Sequence, residues 1–183
     1  ISPAGTVSRT SGHVAGNLQK NVAIGTNVTR VFEIGTTANY RPIAVTFAGV
    51  SAAGNLVASV SQTAGDHPDI LTSGLDPGKS VNRYWTMTNS GIGFTNYDAT
   101  FAFVPGDLDG GANTDNFVVR RFVSPAWSAT TPGIRTAAST QAIGVTSFSD
   151  FAIGESCSVV TSPISGSSSV CGGDPGVTYS VGL

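Results

Sequence analysis

Hydrophobic and polar positions alternate with a period of two over much of the chain, most clearly between residues 80 and 105 (SVNRYWTMTNSGIGFTNYDATFAFVP). In the first half Val81, Arg83, Trp85 and Met87 alternate with Asn82, Tyr84, Thr86 and Thr88. In the second half Tyr97, Ala99, Phe101 and Phe103 alternate with Asp98, Thr100, Ala102 and Val104. Successive side chains of a strand point to opposite faces, so this pattern predicts two strands, and Asn89, Ser90, Gly91 and Gly93 supply turn residues between them. We read the stretch as a hairpin at the centre of the core, because Trp85, Tyr97, Phe101 and Phe103 form the largest apolar cluster in the chain.

Further strands follow from the same pattern. Residues 29–35 (TRVFEIG) set Arg30, Phe32 and Ile34 against Val31 and Glu33, and residues 42–50 put Ile43, Val45 and Phe47 on one face. Residues 55–61, 116–123, 140–147 and 149–154 complete the set, while 14–22 is mixed in character. Residues 63–80 carry Gly65, Pro68, Gly74, Pro77 and Gly78 and read as a long loop with one short strand at 69–72. Trp127, after Pro125, is expected to cover an edge of the core. No apolar stripe with helical spacing survives the glycines. A strand every 8–12 residues with turn signals between predicts an all-β fold, an antiparallel β-sandwich of Ig-like or jelly-roll-like type with little or no helix.

The composition changes after Glu155. We expect a sandwich domain over residues 1–155, followed by a Ser/Gly-rich linker with a disulfide loop and a terminal strand over 156–183. The alternation returns at Val177, Tyr179 and Val181, and an unpartnered strand is not stable in water. This segment must therefore pair with its own domain, with another chain or with a continuation of the polypeptide. Cys157 and Cys171 flank a short Ser/Gly/Pro-rich loop. A disulfide between them would be worth about 3 kcal/mol in the chain-entropy view and would imply an oxidising compartment. Neither cysteine has a histidine or further cysteine nearby in sequence, which disfavours a zinc site.

Charged residues make up only 11% of the chain, and the net charge is −2. Weak mutual repulsion favours self-association. Arg120-Arg121 is the only basic pair, so nucleic acid is not an expected partner. No apolar run reaches the length of a membrane span. No leader precedes Ile1, as expected of a mature secreted chain.

The segments RYWTMTNSGIGFTNYDATFAF and SFSDFAIGE resemble a module of very large secreted bacterial surface proteins, which often use the type IX route and carry tandem β-sandwich repeats. In layout the resemblance runs over roughly residues 12–155, with specificity in those two segments alone. The tail PISGSSSVCGGDPGVTYSV resembles the opening of an Ig-like or PKD-like repeat, which here ends where a full domain would follow. The resemblance implies adhesion, surface structure or filament building, and brings no catalytic residues with it.

Candidate chemistry is sparse. Asp107, Asp109, Asn113 and Asp115 in GDLDGGANTDN suggest a calcium loop, since clustered oxygen ligands on a flexible turn suit a hard cation. Their spacing departs from the EF-hand pattern, and the alternative is an Asx-rich turn bonding its own backbone. Apart from calcium, no cofactor is implied. Residues 74–80 (GLDPGKS) approach the P-loop pattern but are one residue short between the glycines, contain a proline and lead into a strand. His13 and His67 are the only histidines, no G-x-S-x-G is present, and Asp66-His67-Pro68-Asp69 reads as a turn with a solvated imidazole. Glu33 and Glu155 are the only glutamates, and nothing in the spacing selects a glycosidase pair. Trp127, Tyr40 and Tyr97 are candidates for an aromatic sugar platform, against the commoner role of aromatics in a core.

The functional expectation is a non-enzymatic extracellular structural protein, a subunit or repeat of a surface filament or adhesin that polymerises head to tail through residues 2–11 or 176–183. The alternative is a carbohydrate-binding module. Expected partners are further copies of the chain and glycans.

Overall fold

The computed structural model describes residues 9–157. Their strands are β1 (Val14–Ala15), β2 (Leu18–Val22), β3 (Gly25–Phe32), β4 (Ile34–Gly35) and β5 (Ile43–Ala52). Next come β6 (Gly54–Val60), β7 (Leu75–Ser90), β8 (Gly93–Phe94), β9 (Tyr97–Ala102) and β10 (Phe117–Val123). The last four are β11 (Ala126–Ala129), β12 (Thr131–Thr136), β13 (Ser139–Val145) and β14 (Asp150–Ser156). One sheet has the order β11-β10-β14-β7-β6-β2, and the other β12-β13-β9-β5-β3 with β8 beside the end of β5. Pairing within both sheets is antiparallel, and only the two-residue β1 and β4 pair in parallel. The protein is an all-β antiparallel sandwich, as the alternation predicts.

The strand phases are those read from the pattern. Val81, Trp85 and Met87 of β7 face Tyr97, Ala99 and Phe101 of β9, with Ile43, Val45 and Phe47 of β5 in the same core, all buried. The centre is aromatic: Trp85 meets Phe101 at 5.5 Å between ring centroids, and Phe101 meets Phe151 at 5.1 Å.

The pairing corrects the hairpin. β7 lies between β6 and β14 in one sheet and β9 between β5 and β13 in the other, so the two strands meet through side chains across the sandwich. Residues 91–92 therefore carry the chain between sheets, from β7 into β8. The crossing from β5 to β6 is as tight, with Ala53 alone between the strands. A Cβ on Gly54 would come within 2.3 Å of the Ile92 backbone nitrogen, so the backbones approach closely enough to require glycine there.

Three local expectations also change. The short strand at 69–72 is a 3₁₀ turn, Ile70–Thr72. The Asp76-Pro77-Gly78 stretch belongs to the beginning of the sixteen-residue β7 rather than to a loop. In the mixed 14–22 stretch lies the edge strand β2, whose Lys20 is buried and bonds Val31 O and Glu33. The long excursion between β6 and β7 folds over the outer face of the first sheet. There Ile70 and Leu75 form a second small core with Ala152, with Val118 and Trp127 packed against it. This is why β14 is buried on both faces.

Among the described residues no helix is long and apolar enough to cross a membrane. Cys157 is the last described residue, and its N–H donates to Gly74 O at 2.8 Å. Its pairing with Cys171, the terminal strand residues Val177, Tyr179 and Val181, and most of the 2–11 segment lie outside the described residues.

Candidate functional site

The strongest polar constellation is an ion cluster at the end of the sandwich. Arg83 occupies an inward position of β7, between core residues Val81 and Trp85, where an unpaired charge would be very costly. Its partner is Asp107, at the end of the 3₁₀ turn Pro105–Asp107. Arg83 Nε lies 3.3 Å from Asp107 Oδ1, and Arg83 Nη1 donates to Ser61 O and Gln62 O at 3.1 Å each. Arg41, just before β5, grips the same carboxylate with two bonds of 2.6 Å, Nε to Oδ2 and Nη2 to Oδ1. The fork-to-fork geometry is the strong form of this contact, and Arg41 and Asp107 are each only 2% exposed. Val104 N–H donates to Asp107 Oδ2 at 3.1 Å. Burial alone would raise the Asp107 carboxyl. The Arg41 hydrogen bonds, the Val104 N–H, the Arg41 charge and Arg83 together hold it below the usual carboxylate range.

Beside this cluster two further acids converge on Ser80. Asp109 accepts from Ser80 N–H at 2.8 Å and from Asn82 Nδ2 at 2.7 Å, while Ser80 Oγ donates to Asp66 Oδ1 at 2.5 Å. Burial pushes the Asp66 carboxyl up; the Ser80 hydroxyl opposes the shift and the charge of Asp109 adds to it. The contacts fasten two loops onto the outer phase of β7.

The four calcium candidates are therefore divided. Asp107 is enclosed by two arginines, and Asp109 is bound to β7. Asn113 caps the 3₁₀ turn Thr114–Asn116 by accepting from Asp115 N–H at 3.1 Å, and Asp115 is exposed. No group of three or more acidic, histidine or cysteine side chains among the described residues is placed to hold a metal ion. Asn113 makes the Asx-type contact of the alternative weighed above, whereas Asp107 and Asp109 are engaged with the arginines and with β7.

His67 departs from the solvated turn expected of it. It is 5% exposed, and its ring packs against Phe122 at 4.7 Å, Trp127 at 4.9 Å and Tyr84 at 5.0 Å. Nδ1 accepts from Asp69 N–H at 3.1 Å, which assigns the proton to Nε2, 3.4 Å from Asp150 Oδ2. Both ring nitrogens are thus engaged, and the histidine pins the β6–β7 excursion to the sheet. Trp127 completes the pin by donating Nε1–H to Asp69 O at 2.9 Å.

The aromatic platform residues do not assemble. Trp127 is a lid on His67, whereas Tyr40, in the β4–β5 connection, lies under the Arg9 guanidinium at 3.8 Å and beside His13 at 5.9 Å. Burial raises the Tyr40 phenol, with Arg9 lowering it and Glu33 raising it. Tyr97 is fully buried and donates its hydroxyl to Ser147 O at 2.9 Å.

Sequence reasoning missed the Arg41–Asp107–Arg83 cluster. The available signal was Arg83 itself, a charge in the apolar phase of a strand, which demands a buried counter-ion. No protein-family model, no curated protein and no solved structure matches the chain.

Proposed function

We propose that this chain is an extracellular structural module without a catalytic role, a subunit or repeat of a bacterial surface filament or adhesin that joins its neighbours by strand addition. The observation that carries this reading is the use made of the polar groups. Arg41, Asp107, Arg83, Asp66, Asp109 and His67 are all committed to fastening loops onto the sheets. Such cross-bracing suits a module that bears load.

Among the described residues the sheets are open, and open sheets end in margins that can accept another strand. β11 and β12, joined through Thr130, end the two sheets and put both margins on one flank. Ile134 on β12 is 70% exposed there. The donated strand in this reading is Val177, Tyr179 and Val181 of a neighbouring copy. A head-to-tail contact of that kind is heterologous, so it extends into an open polymer unless its rotation closes. Electron microscopy of the purified protein, with and without residues 176–183, tests the reading. Fibres that vanish on deletion while the monomer stays folded support it. A full-length chain that stays monomeric, or polymers that persist after deletion, would remove the terminal strand from the mechanism.

A further inference from the structure

We propose that the groove between the end of β7 and the segment leading into β14 is a binding site for a neutral saccharide. The groove exists because of a mismatch in strand length. β7 pairs with β6 as far as Ser90, but its pairing with β14 ends at Thr86↔Asp150. The last residues of β7 therefore run on past their neighbour, and residues 146–149 bend away with only Ser149 O still bonded to Met87 N–H, at 2.9 Å. The space left open is about 410 Å³, within the usual range for a small-molecule site.

Its lining has the two kinds of group that a pyranose needs. Phe94 and Phe148 give it an aromatic wall: Phe148 stacks on buried Tyr97 at 4.4 Å with 7° between the rings, and Phe94 meets Phe148 at 5.1 Å. Tyr97 is locked in turn by its bond to Ser147 O, so the wall is held by the core before any ligand arrives. The lining also includes the hydroxyl residues Thr88, Thr146, Ser147 and Ser149. Their side chains make no hydrogen bond among the described residues and can serve as both donors and acceptors. A sugar ring offers C–H groups to the aromatic side chains and a rim of hydroxyls to the threonines and serines. Among the described residues no ionisable side chain lines the groove itself, which favours an uncharged ligand; the Arg121 guanidinium lines the adjoining cavity, which meets the groove at Thr146. Neither Trp127 nor Tyr40 belongs to the site.

The site does not depend on head-to-tail assembly, and the two can be tested apart. The full chain is applied to a printed array of neutral, uronic-acid and sialylated oligosaccharides. Saturation-transfer NMR with cellotetraose, xylotetraose and mannotetraose follows. We expect neutral glycans to be retained and their affinity to fall about tenfold in Thr146→Trp, which fills the groove from an exposed position, and in Phe148→Leu, which removes the stacking face. Trp127→Ala should bind as the parent does. A flat array, retention of acidic glycans alone, or neutral binding unchanged in Thr146→Trp would overturn the proposal. So would groove resonances that respond to the peptide GVTYSV but to none of the saccharides.

Discussion

Replacing Asp107 by Asn tests the physics of the buried ion cluster most directly. The substitution keeps the shape of the side chain and removes its charge, leaving Arg41 and Arg83 facing each other without a counter-ion. Arg41 is 2% exposed, so solvent screening offers little relief. Breaking a buried pair from one side costs about 3–5 kcal/mol, because the remaining charge stays desolvated. For a domain of this size that corresponds to a fall in Tm of roughly 6–20 °C. Urea unfolding can follow the fluorescence of Trp85, which is fully buried in the core.

The pH dependence adds a second check. The folded-state Asp107 carboxyl titrates below its unfolded value of about 3.9, so its stabilisation is present in full above that value and is lost as pH falls through the folded pKa. The gap between wild type and Asp107→Asn should accordingly shrink in acid. A loss of under about 1 kcal/mol at neutral pH, the worth of a surface pair, would refute the reasoning. A gap that stays constant down to the acid end of the titration would do the same.

Two further outcomes follow from the same contacts. His67→Ala should speed hydrogen exchange at the Ile70 and Ser73 amides, which bond His67 O and Ile70 O, by about tenfold or more while the β7 core amides stay slow; an equal acceleration everywhere would mean that the histidine supports the whole fold rather than one loop. Thr140→Val should stabilise the protein by about 1 kcal/mol, since the Thr140 hydroxyl is fully buried with no partner among the described residues and β-branching is kept. Equilibrium unfolding measures it, and a loss of stability would show that the hydroxyl is satisfied.

The candidate site was legible only in part. Arg83, standing between Val81 and Trp85, required a buried partner, but nothing local named Asp107, twenty-four residues on, or Arg41, sixty-six residues before that aspartate. The acidic loop after Pro105 had a composition equally suited to a cation or to a set of caps. Which it is depends on whether the carboxylates converge, and convergence is a property of the assembled loops. His67 looked like a surface turn because the residues that bury it, Tyr84, Phe122 and Trp127, come from three distant strands.

Alternation along the chain determined the fold class and the inward phase of β5, β7 and β9, because a strand turns alternate side chains to opposite faces whatever its partners are. Pairing was decided only by the tertiary structure. The 80–105 stretch reads as a hairpin, yet its two strands lie in opposite sheets; alternation turns Trp85 and Phe101 inward equally well whether the strands are neighbours in one sheet or face each other across the core. The groove beside Phe148 has the same origin: neither β7 nor β14 encodes a cavity, and it opens where one outlasts the other.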